Sequence, residues 1–141
     1  MKNVSFSSRK GQTLVEFALM LPILLLIAVV VFDLGRAIYY YSTIHNAARE
    51  GARYGVVYPD DVSGMRNTTR NFAFGMGLAL SNVTAGPGPN EIIDFFPNPT
   101  VRVTVSYSFS PATPVVAWFI PGGQITLTSQ ATMRTEKLPS P

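Results

Sequence analysis

The chain has 141 residues, a formal net charge of +3, 47% hydrophobic residues, one histidine and no cysteine. That length holds one modest domain beside a membrane segment; the missing cysteines exclude a disulfide framework or thiolate chemistry, and one histidine excludes a multi-histidine metal site. Lys2, Arg9 and Lys10 make up the whole charge excess, since the other eight basic side chains match eight acidic ones, so a pI of about 9.5 gives no argument for a nucleic-acid partner.

Residues 1–11 form a short basic leader, too polar to fold by itself. Phe17 to Phe32 is unbroken apolar sequence, and Leu14 and Val15 extend it backwards across Glu16. At about 1.5 Å per residue that stretch reaches roughly 28 Å, close to the hydrocarbon thickness of a bilayer. Residues 12–32 are therefore expected to be a transmembrane helix, with Pro22 as a local interruption that membrane helices tolerate. Cations precede the run and no basic excess follows it, so the positive-inside rule puts the N-terminus in the cytoplasm and the remainder outside. A secretory signal peptide is the competing reading; the length of the run and the lack of a small-residue cleavage site after Phe32 speak against it.

Glu16 is the anomaly, because a carboxylate at membrane depth needs either the interface or a positive partner. Gly11 stands five residues before it, directly after Arg9 and Lys10. This arrangement resembles the processing site of type IV pilin-like precursors. The resemblance implies cleavage between Gly11 and Gln12, which would leave the Gln12 ammonium free to pair with Glu16 of a neighbouring subunit.

Leu34, Ile38, Tyr41, His45, Ala48 and Ala52 recur at helical spacing, so the first helix is expected to run from Thr13 to about Tyr54, with residues 33–58 as its extension. Tyr39, Tyr40 and Tyr41 suit either lipid headgroups or packing against an outer domain. Gly11, Val15 to Ala18, Pro22, Asp33, Gly35, Arg36, Asn46 to Arg49 and Gly51 to Arg53 together resemble the N-terminal domain of TadE-like proteins, pseudopilins of the tight-adherence (Tad) pilus. The resemblance assigns Gly11 and Gln12 to cleavage, Glu16, Phe17 and Pro22 to assembly within the membrane, and Asp33, Gly35, Arg36, Asn46, Arg49, Gly51 and Arg53 to the helix extension. Ala131 to Glu136 also looks like the end of such chains. The small major pilins of the system are shorter and carry Glu-Tyr where this chain has Glu16-Phe17, which points to a minor subunit.

Residues 59–141 read as an extracytoplasmic domain. Asp60 and Asp61 are placed to cap a helix whose stripe runs through Val62, Met65, Thr69, Phe72, Met76, Leu80 and Val83. Ala85 to Asn90 is glycine- and proline-rich and reads as a loop. Glu91 to Phe96 is an expected short strand, Val101 to Phe109 alternates strictly, and Ile125 to Arg134 alternates again. Between those two lies an apolar patch, Val115 to Ile120, either a loop folded over the sheet edge or a subunit contact. The tail from Leu138 should fray.

The expected class is α+β: a long N-terminal helix packed with a second helix on a small antiparallel sheet. No phosphate-binding glycine loop, zinc helix or nucleophile elbow is present, so no enzyme activity, cofactor or metal is expected. The resemblance implies other pilins, a prepilin peptidase, an inner-membrane platform with its export ATPase, and membrane lipid as partners, with no nucleic acid. An uncut, single-pass anchored binding module is the alternative.

Overall fold

The computed structural model describes residues 8–88, 91–93 and 96–136. The leader up to Ser7, the loop residues Pro89 and Asn90, Asp94 and Phe95 of the expected 91–96 strand, and the tail from Lys137 lie outside those residues.

Helix α1, Ser8–Val57, is continuous through Pro22 and past the apolar run. It is the one helix among the described residues long and apolar enough to cross a membrane, and none of its most hydrophobic window is buried by the rest of the chain. Those side chains need an apolar surrounding that the protein itself does not supply, which fits a membrane anchor.

The outer half of α1 packs beside helix α2, Val62–Phe72, on a three-stranded antiparallel sheet of order β1-β4-β5, comprising Val83–Pro87, Thr100–Phe109 and Ile125–Arg134. A separate two-stranded hairpin pairs β2, Glu91–Ile93, with β3, Phe96–Asn98. A short helix α3, Pro114–Trp118, lies in the connection between β4 and β5. The α+β expectation is met. Val101, Val103, Val105 and Phe109 of β4 are buried and Ser129 and Ala131 of β5 join them, as the alternation predicts.

The structure adds one point that the helical spacing left open, the packed side of α1, and corrects two expectations. The buried face of α1 runs through Asp33, Ile44, Ala47, Ala48, Gly51, Ala52 and Gly55, whereas Leu34, Ile38 and Tyr41 are largely exposed. Small residues, not large apolar ones, define the packed side, because the sheet and α2 come close to the helix axis there. A Cβ on Gly51 would run into the Thr69 side chain, and one on Gly55 would crowd Met65 and Val101.

The first correction is the length of α2. The helix stops at Phe72, where Ala73 caps it, and Gly75 and Gly77 take left-handed φ values of 82° and 64° that turn the chain. Met76, Leu78 and Val83 still reach the core, but from that turn and from β1. The second is that Ala85 to Pro87 lies in β1 and not in a loop. Because β1 is an edge strand, the missing N–H of Pro87 interrupts no inner ladder.

The start of α2 follows its sequence. Asp61 Oδ1 accepts from the Gly64 backbone N at 2.8 Å, while Asp61 Oδ2 accepts from the Tyr54 hydroxyl at 2.7 Å, so the cap also ties α2 to α1. These donors hold the Asp61 carboxyl below its ordinary pKa, the Gly64 N–H being the larger influence and the Tyr54 hydroxyl the next.

Gly51→Ala should destabilise the outer domain by about 1–3 kcal/mol through overpacking against Thr69. Gly35→Ala, where a Cβ meets open space, should be neutral or stabilising by up to about 1 kcal/mol. Thermal melts of the two variants in detergent check the contrast.

Candidate functional site

The sequence-marked residues fall into three places on α1. Gly11, Gln12, Glu16, Phe17 and Pro22 are exposed on its first turns. Gln12 Nε2 donates to Glu16 Oε1 at 3.3 Å, one turn away, and Phe17 is 64% exposed. Asp33 and Arg36 sit where the apolar run ends. Asn46, Arg49, Gly51 and Arg53 are on the outer half, Gly51 buried in the packed face and the other three exposed.

The middle group carries the densest chemistry. Asp33 is 3% exposed, and its carboxylate accepts from four donors. The Thr113 hydroxyl donates to Oδ2 at 2.6 Å and the Thr113 N at 3.3 Å, while the Ala112 N donates to Oδ1 at 3.0 Å. Arg36 Nη1 reaches the same Oδ1 at 3.1 Å, one helical turn on. These donors, the Thr113 hydroxyl first, outweigh desolvation and lower the Asp33 pKa. The Arg36 guanidinium also lies 5.5 Å from the ring centre of Phe109 and 5.7 Å from that of Tyr40. A buried carboxylate and a stacked cation thus clasp the β4–β5 connection to α1.

From that clasp the hairpin runs outward along the helix. Tyr40 meets Tyr107 and Phe109 at ring-centre distances of 5.4 and 5.8 Å, His45 Nδ1 lies 3.1 Å from Ser129 Oγ, and Glu136 N donates to the Val56 carbonyl at 3.1 Å. The tyrosine run therefore divides, with Tyr40 packed and Tyr39 and Tyr41 exposed. His45 stacks on Tyr41 and ties α1 to β5; Ser129 is only 5% exposed, which denies a substrate access to its hydroxyl. Among the described residues no group of three or more His, Asp or Glu side chains could hold a metal.

Gly35 lies in open space on α1, so at this position the described residues give no steric reason for a glycine. The pattern of an acid and a base three apart, a small-residue face and a charged outer side is now fixed in space over one continuous helix. Residues 11–53 match the family model described as TadE-like protein. No curated protein and no solved structure gives a match to the chain. The TadE-like segment takes in the whole apolar run, the Asp33–Arg36 pair and most of the small-residue face, and it ends at Arg53, before α2 and the sheet begin.

The resemblance drew attention to Asp33 and Arg36 as helix residues and missed what they hold, the Ala112–Thr113 backbone some 80 positions away. Two local signs bore on it: a carboxylate standing right after an apolar run, and a Thr-Pro step at Thr113 and Pro114 that opens α3.

Asp33→Ala should free the connection, so that amide hydrogen exchange at Ala112 and Thr113 rises toward that of an unrestrained loop while the amides of β4 keep their protection. Because the Asp33 pKa is lowered, its contribution is complete at neutral pH. It declines as pH falls below the ordinary aspartate range near about 4 and is lost through the lower folded value. Amide shifts of Ala112 and Thr113 followed through an acid titration check the direction.

Proposed function

We propose that the chain is a TadE-like minor pilin or pseudopilin, a structural or assembly subunit of a Tad-type pilus with no catalytic activity of its own. The observation that carries the reading is the TadE-like match over residues 11–53, laid on a helix whose most hydrophobic window has no residue buried by the rest of the chain. A surface of that kind is satisfied by lipid before assembly and by the helices of other subunits after it. Leu34, Ile38 and Tyr41 extend the exposed apolar stripe beyond the bilayer, on the side of α1 not taken by the sheet.

In this reading the N-terminus is cytoplasmic and the outer domain extracytoplasmic. A prepilin peptidase cuts between Gly11 and Gln12 and releases the basic leader, whose Arg9 and Lys10 would otherwise resist leaving the cytoplasmic face. The new ammonium on Gln12 then meets Glu16 of a neighbouring subunit, and a carboxylate stabilised only by that meeting fixes the axial register of one helix against the next. Phe17 and Pro22 shape the contact on either side. Other pilins, the peptidase, the inner-membrane platform and its export ATPase are the partners. The roughly 80 residues outside the membrane and the helix extension suit a minor subunit better than a bulk one.

The intact mass of the protein from its native membrane should correspond to a chain starting at Gln12. A chain retaining its leader, in cells with an active peptidase, would favour an uncut anchored module instead. Replacing Gly11 by a bulky residue should abolish processing. Glu16→Ala should insert in the membrane at least as well as the parent yet fail to support pilus assembly; undiminished piliation would remove the register role.

A further inference from the structure

The connection between β4 and β5 carries Trp118 and Phe119 with 85% and 78% of their surfaces exposed, and the function proposed above uses neither. Large aromatic side chains so exposed and adjacent mark a surface that meets something other than water. The position of the connection along α1 decides what that is.

Position follows from the contacts. Phe109 lies over Arg36, Tyr107 against Tyr40, and Glu136 beside Val56, so the hairpin descends along α1 and its tip faces the apolar run. From Arg36 to Val56 the helix rises about 30 Å, which a ten-residue strand such as β5 also spans. Below Asp33 the connection continues downward. Thr113, Pro114 and Val116 share an apolar crevice with Leu25, Val29 and Val30 of α1, residues that lie roughly 5–12 Å deeper than Asp33 along the helix.

Charge agrees with depth. Between Arg102 and Arg134 the chain contains no Asp, Glu, Lys or Arg, so the lower part of the hairpin and the whole connection can leave water without burying an ion. Trp and Phe beside a membrane helix, on a charge-free segment bounded by Pro111 and Pro121, are the composition of an interfacial anchor. The 3₁₀ turn Pro121–Gly123 then leads back to β5.

We propose that residues 111–123 are a second membrane-contacting element, which the Asp33 clasp holds against α1 so that Trp118 and Phe119 enter the outer leaflet of the bilayer. The proposal rests on α1 being a membrane anchor. It makes the domain sit directly on the lipid surface and not on a free stalk.

Trp118 is the chain's only tryptophan, so the unaltered protein reports on itself. The full chain is reconstituted at low density in phosphatidylcholine–phosphatidylglycerol vesicles, with or without bromine on the upper acyl-chain carbons, and floated to establish insertion. In the floated fraction, emission should be blue-shifted and quenched severalfold more by brominated lipid than by aqueous iodide. Asp33→Ala should weaken the lipid quenching while flotation persists. Flotation with strong iodide quenching and no lipid quenching would overturn the proposal and leave the anchor standing. Shielding that appears only as chains per vesicle increase would overturn it in favour of a contact between copies, and failure to float would remove the anchor itself.

Discussion

Where α2 and the β4–β5 hairpin come closest to α1, past Ile44, the packed side of the helix is made of alanine and glycine. Ala47, Ala48, Gly51, Ala52 and Gly55 bring backbone and strand within reach of each other, and Ile44, Met65, Val101 and Val103 fill the space left beside them. This closeness sets the rest of the arrangement. It allows an eleven-residue α2 with intrinsically poor helix formers to hold its place, and it fixes which side of α1 stays free. It also lets a helix that is apolar on nearly every side in its first half become one-sided in its second without a break in the backbone.

The Asp33 clasp is the other end of the same packing. Burying a carboxylate is unfavourable unless its oxygens are satisfied, and here the Thr113 hydroxyl, two backbone N–H groups and Arg36 satisfy them. The carboxylate therefore selects one position of the connection along the helix and disfavours slippage of the hairpin. The outer domain therefore keeps one azimuth relative to the apolar half of α1, so helix packing and surface display are not independent choices.

Much of this was legible in the residues themselves. The apolar run, the continuous helix, the Asp61 cap and the alternation in β4 and β5 follow from local pattern: the run from its length, the cap from its residue type and place, and the strands from a period of burial that equals the period of the element. The sequence misled where distant packing chose between equivalent local readings. The stripe through Leu34, Ile38 and Tyr41 is as periodic as the true buried face, yet only the side with small residues admits a sheet. Met76, Leu80 and Val83 continue the spacing of α2 although two left-handed glycines have already ended it. The role of Asp33 depends on the approach of residues nearly eighty positions away, so the local signs at Asp33 and at Thr113-Pro114 could not be paired from sequence alone. Among the described residues nothing explains the glycine at position 35.

The hairpin is fastened to α1 at Arg36 below and at Val56 above, with strands lying along the helix and not across it. A force applied along α1 therefore acts in shear on the whole hairpin interface. The contacts from Tyr40–Tyr107 to His45–Ser129 share the load and must give way together, whereas a transverse arrangement would peel apart one contact at a time. The outer domain is thus most resistant to load along the axis of α1 and least resistant to load across it.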